Sequence, residues 1–303
     1  MEKNRIEKIK KLQKEKDVVI LAHYYVDGPV QEIADYVGDS FYLSKIATQV
    51  TQQNILFCGV SFMGESAKIL NPEKNVVMAD PYADCPMAHM VTVERIEQVR
   101  AEVPDLAVVC YVNSTAEIKA VSDVCVTSSN AVKVVKNLPE KNIFFVPDNN
   151  LGRYVSEKVP EKQFIFHDGF CHVHKSIHAD NLIEAKKVHP EALVLTHPEC
   201  TSDVIALSDF VGSTSEIIAY ATKSKAEKFI ICTEMGVFFE LQQKNPGKKF
   251  YSVGHRQFCP NMKKVTLERV EEALEKMTPT VELPQEIIEK AAKPLQRMLE
   301  LSK

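Results

Sequence analysis

No two of the eight cysteines stand in CxxC spacing, which argues against a zinc ribbon or a thioredoxin motif. The closely spaced cysteine triplet used in radical chemistry is missing too. Positive charge is not in excess: 37 Lys and Arg against 41 Asp and Glu give a net charge of −4. Nothing global therefore attracts nucleic acid or an anionic membrane, and any anion binding must be local. The longest uninterrupted apolar run, Leu106 to Val112, is far too short to cross a bilayer. Met1 to Asp17 is charged throughout and lacks the apolar stretch of a secretory signal. A soluble, cytoplasmic protein is the expectation, and in that reducing compartment its cysteines are not expected to pair as disulfides. Gly- or Ser-rich linkers are also absent, so whatever units the chain contains should pack tightly.

What is present is a repeat. Cys85, Cys171 and Cys259 stand 86 and 88 residues apart (171 − 85 and 259 − 171), and other features recur at the same interval. Apolar runs that end in polar clusters put His23, Tyr111 and His197 in register, and two residues on Tyr25, Asn113 and Glu199. Serine turns follow, at Gly38 to Ser40, Thr127 to Ser129 and Gly212 to Thr214, each opening an apolar-periodic segment. Further strand-like runs start at Ile55, Ile143 and Phe229, and each copy then reaches its cysteine.

Continuous β-branched runs alternating with helical segments mark parallel strands covered on both faces. The expected fold class is α/β, with three similar three-layer α/β/α domains around a pseudo-threefold axis and a site at the centre. The expected domains are 1–88, 89–175 and 176–263, with C-terminal helices over 264–303 packing on the first. In the first copy, strands are expected at Val18 to Ala22, Asn54 to Val60 and in NVVMAD. A helix is expected from Pro29 toward a Gly38 C-cap, and Ser40 is expected to cap the next.

Ligands in open parallel sheets bind beyond the carboxyl ends of the strands, where all the polar clusters sit. Cys58, Cys110, Cys125 and Cys232 lie inside apolar runs and read as buried small hydrophobes, while Cys200, beside Glu199, is ambiguous. Cys85, Cys171 and Cys259 lie in loops. Three converging thiolates suit a 4Fe-4S cluster with one iron left open for Lewis-acid work. A three-cysteine zinc site completed by His172 or His174 is the competitor. Ser40, Ser128, Ser213 and Thr214, at helix starts, read as N-caps and as anion sites for up to three anionic groups. His23, Tyr25, Tyr111, Asn113, His197 and Glu199 offer acid/base groups for proton abstraction and dehydration. Phe62, Met63 and Met262 read as pocket walls or as core.

The ordered set AHYY, GDS, GVSFMGE, CPMA, YVNST, TSSNA, PDNNLG, HPEC, VGST, TEMG and NMKK resembles the quinolinate synthase (NadA) family of de novo NAD biosynthesis over nearly the whole chain. The resemblance implies condensation of iminoaspartate with dihydroxyacetone phosphate to give quinolinate, phosphate and water. It also implies a 4Fe-4S cluster on Cys85, Cys171 and Cys259, and Tyr25 as the acid/base of isomerisation and dehydration. His23, Tyr111, Asn113, His197 and Glu199 would then bind and polarise intermediates, and Ser40, Ser128, Ser213 and Thr214 would hold carboxylate or phosphate. L-aspartate oxidase, the supplier of iminoaspartate, is the candidate partner. Some relatives carry a CxxCxxC run at the third ligand, whereas HRQFC stands here, which argues against thiol-based redox control by that route. A non-catalytic iron-sulfur sensor of a small dicarboxylate and a zinc-dependent lyase are the alternatives.

Overall fold

Six consecutive buried residues, VVILAH, form β1 (Val18–His23), a run apolar enough to be covered on both faces. Around it stand β2 (Tyr36–Gly38), β3 (Asn54–Cys58) and β4 (Asn75–Met78), all parallel, in the order β2-β1-β3-β4. The second sheet is built the same way from β5 (Leu106–Tyr111), β6 (Val124–Val126), β7 (Asn142–Val146) and β8 (Gln163–Phe166), in the order β6-β5-β7-β8. The third comprises β9 (Leu193–Thr196), β10 (Phe210–Val211), β11 (Lys228–Cys232) and β12 (Lys249–Ser252), in the order β10-β9-β11-β12. The chain is thus α/β, with three α/β/α units of identical topology. This is a computed structural model, and it describes residues 2–254 and 257–303. Two residues of the HRQFC stretch, His255 and Arg256, lie outside the described residues. Among those described, no helix is long and apolar enough to cross a membrane.

The short edge strands correct the expected first unit. The helix that begins near Pro29 spans only Gly28–Ile33, and Tyr36–Gly38 is a strand rather than its last turn and cap. An aspartate makes the break. Asp35 accepts the Ile20 amide at 2.7 Å through its carboxylate, and its own amide donates to the Ile20 carbonyl at 3.0 Å. Asp123 does the same with Val108, and Asp209 with Val194. Each aspartate pins the strand that follows it to the first strand of its unit, so the polar cluster after each edge strand is presented beside the one after the first strand.

One apolar core runs through units one and two, and the third unit has two smaller cores of its own. Of the C-terminal helices, Leu267–Lys276 packs on the N-terminal helix Glu2–Glu15, with Arg5 and Lys8 paired to Glu271 at 2.8 and 2.6 Å. The last helix, Gln285–Leu301, buries Ile288, Ala291, Leu295 and Met298, a stripe at helical spacing. That stripe lies across units one and two, against the helices Ser61–Leu70 and Ala116–Ala120 and strand β6.

Candidate active site

The carboxyl ends of all three sheets face one cavity, to which each strand position contributes loop residues from more than one unit. After the first strands come His23 and Tyr25, Tyr111 and Asn113, and His197 and Glu199. The edge strands lead to Asp39 and Ser40, to Thr127 and Ser128, and to Thr214. Cys85, Cys171 and Cys259 follow the fourth strands and line the same cavity. Those three are the half-buried cysteines; the other five are buried. Phe62, Met262, His172 and His174 also line it, whereas Met63 is buried in the core and Ser213 sits behind the wall.

The serine turns differ from the expected caps. Asp39, not Ser40, caps helix Ser40–Ala47, accepting the Tyr42 amide at 2.9 Å. Ser128 caps nothing, because the next helix starts after Asn130. Only Ser213 is an N-cap, in a capping box with Glu216, and it is the one whose hydroxyl the cavity does not reach. Asp39 takes the capping role at the first turn, Asn130 holds the N-cap position at the second and accepts the Thr127 amide at 2.7 Å, and Ser40 and Ser128 are left to line the cavity.

Within the cavity the polar groups form a chain. The Tyr25 hydroxyl lies 2.7 Å from Thr214 Oγ1 and 2.8 Å from Thr233 Oγ1. Thr233 Oγ1 lies 2.8 Å from His174 Nε2, and His174 Nδ1 is 2.6 Å from Glu199 Oε2. His174 stacks on His197, with ring centroids 4.5 Å apart. Since a carboxylate only accepts, Nδ1 of His174 donates to Glu199, and Nε2 faces the Thr233 hydroxyl. The sequence marks His174 only as a possible zinc ligand and gives Thr233 no distinguishing signal. Asn113 Oδ1 and Glu199 Oε1 are buried acceptors without a partner, the expected signature of a pocket awaiting a ligand with N–H or O–H donors.

Burial dominates the titration of this site. It pushes His23 and His197 down to about 3, against the pull of Glu199. In each ring Nδ1 accepts the amide two residues on, from Tyr25 at 3.1 Å and from Glu199 at 3.3 Å, so the neutral rings carry their proton on Nε2. His197 Nε2 then meets Ser128 Oγ at 3.2 Å. A lowered folded pKa means that the unfolded chain binds these protons first, so the contribution of the two rings to stability falls as the pH drops from about 6.5 toward 3. Histidine NMR should accordingly show both rings neutral at pH 5; midpoints near 6.5 would contradict their desolvation. Burial also opposes the charge of Glu199, but His174, His197 and the Tyr111 hydroxyl outweigh it and hold this carboxyl below its usual range. Tyr25 and Tyr111 are raised well above theirs, by burial and then by Glu199.

The same burial pushes the Cys85 thiol up to about 12 and raises those of Cys171 and Cys259. Each would ionise only against a positive centre. Three cysteines lining one cavity, one from each unit, fit the donor set of an iron-sulfur cluster with an open iron.

Residues 7–300 match the family described as quinolinate synthetase A protein. The chain belongs to that family. It is 55% identical over 296 residues to the quinolinate synthase of Fusobacterium nucleatum, covering 98% of this chain and 99% of the relative. It is 50% identical to the quinolinate synthase of Caldicellulosiruptor saccharolyticus, with 98% and 99% covered. The quinolinate synthase of Clostridioides difficile is 49% identical, with 100% and 99% covered. Likeness over whole chains makes this an enzyme of the quinolinate synthase type. It also means that family membership extends to every loop that lines the cavity, since residues 23 to 262 all fall inside the matched span.

Proposed function

We propose that this chain condenses iminoaspartate with dihydroxyacetone phosphate to give quinolinate, phosphate and water, a step of de novo NAD biosynthesis. Cys85, Cys171 and Cys259 would hold a 4Fe-4S cluster. The observation that carries the proposal is that these three cysteines line one cavity together with Tyr25, His174 and Glu199, which Thr233 joins behind the lining into a hydrogen-bonded chain. When bound, the cluster would supply Lewis-acid chemistry at the iron that no cysteine holds.

The rest is the work of side chains. The Tyr25 hydroxyl takes a proton from the substrate and passes its own to Thr233 Oγ1, whose proton moves to His174 Nε2. Glu199 Oε2, facing Nδ1, stabilises the imidazolium that results. Run in reverse, the same atoms return a proton to a leaving hydroxyl. The uncharged His23 and His197 rings offer Nε2–H donors to substrate oxygens, and Asn113 Oδ1 and Glu199 Oε1 accept from substrate N–H or O–H groups. Ser40, Ser128 and Thr214 hold carboxylate or phosphate oxygens, while Ser213 keeps its cap and supports the helix Thr214–Lys223, whose N-terminus faces the anion. The cytoplasmic location and the supply of iminoaspartate by L-aspartate oxidase belong to the same proposal.

The test is anaerobic incubation of the iron-loaded protein with dihydroxyacetone phosphate and iminoaspartate generated in situ. Quinolinate and phosphate should appear in equal amounts. Iron-loaded protein that forms neither would overturn the proposal. A second reading has one observation in its favour: ligand atoms of Cys171, His174 and Glu199 lie within 4.8 Å of one another, a mixed set that zinc accepts. Zinc is colourless, so the visible spectrum separates the two.

A further inference from the structure

In each unit the backbone amide of the cavity cysteine donates to a carboxylate. Cys85 N–H donates to Asp84 Oδ1 at 2.7 Å, Cys171 N–H to Asp148 Oδ2 at 3.0 Å and Cys259 N–H to Glu234 Oε1 at 2.9 Å. Asp148 and Glu234 are fully buried. Each acid also grips the loop that follows the third strand of its unit. Asp84 accepts the Ser61 hydroxyl, Asp148 the Leu151 amide at 2.8 Å, and Glu234 the Gly236 amide at 2.6 Å. The tether therefore runs three times between the same two loops.

Repetition of the sequence alone does not account for this. Asp148 and Glu234 occupy equivalent positions, 86 apart (234 − 148), but the equivalent position in the first unit, 88 residues before Asp148, is Val60. There the acid comes instead from the residue before the cysteine, and a serine stands on the loop after the third strand. Nor is helix capping sufficient: Asp148 caps its helix with Oδ1 and spends the other oxygen on Cys171. What the three units share is a cysteine amide held by a fixed acceptor, which sets the direction of the Cα–Cβ bond and hence of Sγ.

We propose that Asp84, Asp148 and Glu234 are positioning residues that aim the three cysteine sulfurs at one point before any metal arrives, an outer shell of the kind that holds ligands in place. This rests on the reading of the cavity as a cluster site.

The test compares Asp84→Ala, Asp84→Asn and Asp148→Ala with the parent, all loaded anaerobically, by the rate of iron loss to a ferrous chelator. Circular dichroism of the metal-free proteins serves as the control for folding. Asp84 is half exposed, so its variants should fold even if Asp148→Ala does not. Both alanine variants should lose iron about 10- to 100-fold faster than the parent. Asp84→Asn, which keeps an acceptor oxygen, should release iron near the parent rate. Alanine variants that match the parent, or an Asp84→Asn as fast as Asp84→Ala, would overturn the inference alone. A parent that takes up no iron-sulfur cluster would overturn the proposed function together with it.

Discussion

Replacement of Tyr25 by Phe is expected to lower kcat by about 10²–10⁴-fold, the contribution of a positioned acid/base group, while ligand binding is retained. The ring packs edge-on against His23, with centroids 4.5 Å apart, and that contact needs no hydroxyl. What is lost is the proton path, because the hydroxyl is the group that meets both Thr214 Oγ1 and Thr233 Oγ1. Calorimetric binding of dihydroxyacetone phosphate alongside anaerobic turnover checks the split. Equal loss of both would point to a structural tyrosine. Binding and turnover that both survive would remove Tyr25 from the proton path.

Glu199→Gln is expected to be the second severe change, lowering kcat by about 10²-fold or more. The amide preserves size and an acceptor for His174 Nδ1–H, so the fold should survive. What it cannot do is balance the charge that appears on His174 when Nε2 takes a proton. Because the native carboxyl is held below its usual range, Glu199 is charged at every working pH. Raising the pH should therefore not restore the variant. A pH profile in which Glu199→Gln approaches the native rate under alkaline conditions would remove Glu199 from the proton path.

The parts of this arrangement that were legible in the sequence are the parts that obey the repeat. Buried β-branched runs such as Val18–His23 and Leu106–Tyr111 announced parallel strands, and polar residues recurring in register located the loops around the cavity. The short edge strands were missed because two or three residues carry too little pattern. The signal was nevertheless there: Asp35, Asp123 and Asp209 recur at the repeat interval just before them. Capping was misassigned for a related reason. Serine was credited with a role that Asp39 performs and that Asn130 occupies one residue beyond the turn. His174 and Thr233 were harder to find, because the chemistry breaks the symmetry. The positions equivalent to His174 hold Ala88 and Met262, and Pro147 stands where the second unit would match Thr233. Comparison between copies can only reveal what the copies share. The tethers on the cysteine amides were hidden more completely, since a backbone donor leaves no letter in the sequence.

In the proposed enzyme three distant cysteines serve one inorganic centre, and the most direct test is anaerobic iron and sulfide analysis together with the visible spectrum of the parent and Cys171→Ser. The parent should be brown, with about four iron and four sulfide per chain, as a 4Fe-4S cluster requires, and Cys171→Ser should lose both colour and turnover. A colourless variant that still makes quinolinate at the parent rate would contradict that arrangement.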